Sequence, residues 1–145
     1  MNTQTPKPTL AQSVECILAV LAAVACLFLT IGIWRSVSAV QNLWPLPGLY
    51  FVELAAVGIL SALLFLVGHR CSAMSAWVAT GIYLAFTVLG VMSVGLFYLP
   101  IAVMFVMVAV VATVRREQPV LRGVGALVVA ALAQAVLMGL VIRLQ

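Results

Sequence analysis

Charge is scarce in this chain: of 145 residues seven are Lys or Arg, three are acidic and one is histidine. A soluble domain of this length carries charge on about a quarter of its residues, a polar exterior that ten charged residues cannot supply. Nor is there any constellation of nucleophile and base, metal ligands or a glycine-rich phosphate loop. No catalytic, cofactor-binding or metal residue is therefore nominated; the chain reads as a non-enzyme with no cofactor and no nucleic-acid partner.

The rarer reactive residues add nothing to that. Cys16 and Cys26 lie about 15 Å apart along one helix, beyond disulfide reach, and Cys71 falls in a loop. The first two read as small apolar side chains and the third as a reduced thiol. His69 is the only histidine, and a haem or copper site would need a second strong ligand that the sequence does not provide.

Apolar residues dominate instead, at 66% of the chain with a mean hydropathy of +1.31. They fall into five runs: Cys16 to Trp34, Leu49 to Gly68, Ala76 to Leu96, Tyr98 to Val114 and Gly123 to Ile142. About 20 apolar residues, rising 1.5 Å each, match a hydrocarbon core about 30 Å thick. The runs lack the polar alternation of barrel strands and are about twice as long, so helices are expected. The reading is an all-α integral membrane protein, a bundle of five transmembrane helices at about 14–34, 49–68, 76–96, 98–114 and 121–142. These form one domain, 14–145, behind a short cytoplasmic tail, 1–13. A secretory signal competes for the first run, since Lys7 precedes it and Val37, Ser38 and Ala39 resemble a cleavage site; four helices would then remain. An apolar core longer than the usual 7 to 15 residues, with Arg35 beside the cut, argues against it.

Prolines mark the boundaries. Pro47, Pro100 and Pro119 stand at the starts of the second, fourth and fifth runs, where a missing N–H costs nothing. Ala76 to Val114 is uncharged for 39 residues, about 59 Å as one helix and twice the bilayer thickness. It must fold back, and Gly95 to Pro100 supplies the turn, with Phe97 and Tyr98 placed at a half-wet interface. The segment from Arg35 to Gly48, bracketed by Trp34, Trp44 and Tyr50, reads as an aromatic belt along the outer headgroups. Leu46-Pro47 and Leu99-Pro100 each precede a basic pair, but at unequal spacings of 22 and 15 residues, so no internal repeat is assigned.

Lys and Arg favour cytoplasmic loops. Lys7, Arg70 and the group Arg115, Arg116 and Arg122 alternate with an uncharged turn, which places the N-terminus in the cytoplasm and the C-terminus outside. Arg35 and Arg143, single charges at helix ends, can snorkel. The expected location is a bacterial plasma membrane.

Polar residues at depth are the functional pointers. Glu15 opens the first helix and can pair with Arg70, Arg115, Arg116 or Arg122; Glu53 lies about one turn into the second and by depth can pair with Arg35. Gln134 lies halfway along the fifth helix, where a hydrogen bond to another helix is the default. Small residues Ala131, Ala135 and Gly139 make one packing stripe beside it, and Ala126, Ala130 and Gln134 an adjoining one. Ala19 with Ala23, Gly58 with Ala62 and Gly81 with Ala85 repeat the pattern elsewhere. The leading expectation is a protein that works by helix packing, as an accessory or assembly subunit of a membrane complex or as a homo-oligomer. Its partners would be the bilayer and other membrane subunits or copies of itself. The alternative is a small permease or channel for a neutral or hydrophobic solute, lined by Gln134, Thr80, Thr87, Ser93 and Ser61.

Arg115, Arg116 and Arg122 are expected to contact anionic lipid, at about 1 kcal/mol each, with Glu117 cancelling part. Neutralising all three should weaken retention on anionic vesicles and scramble the orientation reported by terminal fusions. Unchanged retention and orientation would remove the assignment.

Overall fold

The computed structural model describes residues 10–38, 48–68, 71–90 and 94–143. Within them the chain is helical: α1 Leu10–Ser38, α2 Gly48–Leu66, α3 Ser72–Leu89, a short 3-10 turn Gly95–Tyr98, α4 Leu99–Arg115 and α5 Val120–Arg143. No strand occurs among the described residues. Five segments, the 3-10 turn joined to α4, are long and apolar enough to cross a membrane. Trp44 and Pro47, with most of the expected belt, lie outside the described residues, as do His69, Arg70 and Ser93.

The helices alternate in direction. One end of the bundle, here the basic end, gathers the start of α1, the end of α2, the start of α3 and the α4–α5 connection. α1 packs on α2 and α4, and α3 packs on α2, α4 and α5. The first four helices thus form a ring, and α5 lies outside it against α3. α3 is accordingly lined with buried residues, eleven of its 18, while α5 buries two of 24.

The terminations have local causes. α2 closes through the Val67 amide on the Leu63 carbonyl and a left-handed Gly68 at φ +67°, a conformation glycine adopts without a Cβ clash. Pro100 sits in the first turn of α4 and Pro119 immediately before α5, as their missing N–H groups allow. The α4–α5 connection turns through Glu117 at φ 52°, with the Gln118 amide bonded to the Thr113 carbonyl.

Four expectations change. α1 begins at Leu10 rather than 14, because nothing in residues 10–13 opposes a helix. α3 spans Ser72–Leu89 rather than 76–96. The reversal starts at Gly90, whose carbonyl accepts the Gly95 amide at 2.8 Å, and the two glycine backbones touch so closely that a Cβ on either would collide. Tyr98 and Tyr50, assigned to a half-wet interface, are buried, and only Phe97 of the turn's aromatics is exposed. The core claims both tyrosines: Tyr50 joins the buried cluster of Phe51, Leu54 and Phe86, and Tyr98 stacks on Tyr83 at 6.3 Å and meets Phe86 edge-on at 5.3 Å, while Tyr83 stacks on Phe105 at 5.3 Å. Finally, Gly139 is exposed with open space around it. α5 meets α3 through the adjoining stripe instead.

That contact depends on two glycines. A Cβ at Gly81 would run into the Leu127 carbonyl and come within 3.0 Å of the Ala130 Cβ, and one at Gly123 would enter the Trp77 indole. Gly81→Val should cost about 1–3 kcal/mol by overpacking and loosen α5 from the ring, whereas Gly139→Ala should be neutral. Thermal unfolding in detergent decides: equal midpoints for the two variants would contradict this packing.

Candidate functional site

The polar side chains buried in this apolar bundle bridge helices at successive levels. At the basic end Glu15 of α1 is 1% exposed and receives both the Nε and Nη2 of Arg115 from α4, at 2.5 and 2.8 Å. This two-pronged geometry suits a guanidinium on a carboxylate. Of the four arginines allowed by depth, Arg115 is the one that pairs with Glu15 among the described residues. Arg116 donates to the Ser72 hydroxyl at the start of α3, and Arg122 is exposed on the first turn of α5. Beside the pair opens a cavity of about 360 Å³ lined by Gln12, Glu15, Cys16, Phe65, Arg115 and Arg116, among others. In its wall the Cys16 thiol donates to the Phe65 carbonyl at 3.4 Å.

Midway through the ring, the Tyr83 hydroxyl donates to the Leu54 carbonyl of α2 at 2.7 Å and lies 3.1 Å from the Cys26 sulfur of α1. A phenol has one hydrogen, so with Leu54 receiving it the thiol is the donor to Tyr83. Gly58 makes this possible, since a Cβ there would stand 2.8 Å from the Tyr83 oxygen. One turn along α1, Thr30 bonds the Tyr98 hydroxyl at 2.9 Å. Thus Cys26 and Thr30 hold α1 to α2, α3 and the 3-10 turn. The sequence reading took Cys26 as an apolar filler and Tyr98 as an interfacial ring, and did not single out Thr30 or Tyr83. The available signal was spacing: Cys26 and Thr30, four apart, share a helix face with Ala19 and Ala23.

Toward the opposite end Gln134 of α5, buried, donates its amide to Glu53 of α2 at 3.0 Å. The Arg35–Glu53 pair expected from depth does not form among the described residues; Arg35 is exposed at the last turn of α1. Glu53 faces α5 rather than α1, and Leu54, the next residue, is the one that meets α1 through Cys26. One turn before Glu53, the Tyr50 hydroxyl is the one buried side-chain polar atom without a hydrogen-bond partner among the described residues.

The hydroxyls proposed for a solute path are engaged: Thr80 on the Ala76 carbonyl, Thr87 on the Tyr83 carbonyl and Ser61 on Ser75. Among the described residues no three of His, Cys, Asp and Glu gather where they could hold a metal ion. No family model, curated protein or solved structure matches the chain.

The two acids predict different mutant cycles. Glu15→Gln should cost about 1–3 kcal/mol, between the values for surface and fully buried pairs because Arg115 is 29% exposed. Adding Arg115→Gln should recover part of that loss. The cycle joining Glu53→Gln and Arg35→Gln should show no coupling. Unfolding measurements giving the reverse order of coupling would refute both assignments.

Proposed function

We propose that this chain is an integral membrane protein of five crossings that acts without catalysis, through helix packing, as an accessory or assembly subunit or as a homo-oligomer. Its N-terminus lies in the cytoplasm and its C-terminus outside, in a bacterial plasma membrane. Its basic end, with Arg116 and Arg122 and the paired Arg115, rests against anionic headgroups. α1 stays on the mature chain, because Glu15, Cys26 and Thr30 anchor it to α2, α3, α4 and the 3-10 turn.

The observation that carries this reading is α5. Of its 24 residues only Gly123 and Gln134 are buried, and α3 is its main neighbour. The remaining faces present Val128, Leu132, Val136 and Leu140 outward. Helices in lipid associate by close packing and by shared polar groups, and α5 has one small-residue stripe on α3 and one hydrogen bond to α2, where the ring helices have several such contacts. The permease reading draws less support, since Thr80, Thr87 and Ser61 are spent on bonds within the bundle and Gln134 is held by Glu53.

Extraction in a mild detergent followed by mass determination should give a particle larger than one chain, built from further copies or a stoichiometric partner. A photo-crosslinking side chain at Val136 should join to that same component, whereas one at Phe28 on α1 should not. A strictly monomeric particle, with crosslinks only to lipid, would overturn the reading.

A further inference from the structure

We propose that Glu53 is a proton-binding site, set inside the apolar length of α2 and held in place by the amide of Gln134. The inference rests on the reading that α2 crosses a membrane, and it adds a ligand, H⁺, that helix packing does not require.

Of the three acids in the chain, Glu15 has the Arg115 guanidinium and Glu117 is exposed in the α4–α5 connection. Glu53 is partly buried and makes no ion pair among the described residues. It lies five residues into α2, about 8 Å along the axis from Gly48, and its partner is a neutral amide. Among the described residues, the groups around it offer no positive charge. On α2 there is Tyr50. On α3, Tyr83 is committed to the Leu54 carbonyl and Thr87 to the Tyr83 carbonyl. On α5 there is Gln134, with Arg143 about 14 Å further along the helix, and on α1 the exposed Arg35, which makes no ion pair with it.

An ionised carboxylate without a counter-charge in hydrocarbon is costly, and taking up a proton removes that cost. The geometry leaves room for one. Gln134 donates to Oε2, which leaves Oε1 as the oxygen available for a hydrogen, and a neutral carboxyl can accept on one oxygen while donating from the other. The buried Tyr50 hydroxyl, unpartnered one turn away, is a second group able to exchange a hydrogen bond there. A glutamine at position 53 would bridge to Gln134 equally well without the ionic cost. What glutamate adds at this level is the capacity to ionise.

The test uses dicyclohexylcarbodiimide, a membrane-soluble reagent that adds to protonated carboxyl groups. The carboxyl proton passes to one carbodiimide nitrogen and the carboxylate oxygen bonds the central carbon. The acyl group then shifts from oxygen to nitrogen, leaving a stable N-acylurea with no leaving group. The full chain in native membranes is first washed with alkaline carbonate, then treated, digested and mapped by mass spectrometry. The expected result is a carbonate-resistant chain with the adduct on Glu53 and none on Glu15, a yield that falls as pH rises, and loss of the adduct in Glu53→Gln. Mapping of the unaltered chain identifies the site even if that variant does not fold. A carbonate-resistant chain with no adduct on Glu53 overturns the proton site alone. Equal labelling by a water-soluble carbodiimide also overturns it, because Glu53 would then be hydrated. Protection by Na⁺ at fixed pH overturns it in favour of a metal cation. Removal of the chain by carbonate overturns the membrane reading, and the proposal with it.

Discussion

A hydroxyl buried among apolar helices must find an acceptor, and the Tyr83 hydroxyl finds the Leu54 carbonyl of a neighbouring helix. With few charges to give direction, five apolar helices could slide and rotate past one another at little cost, since dispersion contacts are nearly as good in one register as in the next. A bond of 2.7 Å to a particular backbone oxygen does not tolerate sliding. It fixes α3 against α2, and the Cys26 thiol donating to the same phenol brings in α1. The stack of Tyr83 on Phe105 adds α4. One side chain of α3 thereby touches the other three helices of the ring.

The other polar links repeat the device at different levels. Glu15 and Arg115 join α1 to α4 at the basic end, Thr30 and Tyr98 join α1 to the 3-10 turn, and Glu53 and Gln134 join α2 to α5. These sites need not be equivalent. The first pair neutralises its own charge, the second is neutral throughout, and the third combines an acid with a neutral amide. That difference in charge compensation separates a structural bridge from a site with a ligand of its own.

α5 stands apart in both packing and composition. It reaches α3 only because Gly81 and Gly123 leave space for the Leu127 backbone and the Trp77 indole, and Gln134 is its single buried polar group. A helix held by one small-residue stripe and one hydrogen bond is the element of this fold with the most surface free for lipid or another chain.

By itself the sequence determined the helical class, the number of long apolar segments and the positions where prolines begin them, because those follow from run length and from a missing N–H. It also singled out Glu15, Glu53 and Gln134, since polar groups in an apolar run stand out without any knowledge of their neighbours. Which partners they take was decided only by the tertiary structure. Residue count gives depth along a helix but not rotation about it, so depth matched Glu53 with Arg35, while the actual azimuth turns Glu53 toward α5. The same limit applied to the small-residue stripes on α5. Two stripes of similar composition were equally plausible from spacing, and only the position of Trp77 and Gly81 on α3 selected the one that packs. The Cys26, Tyr83 and Leu54 link was least legible, since it ends on a backbone carbonyl that every residue possesses and depends on Gly58 leaving the approach open.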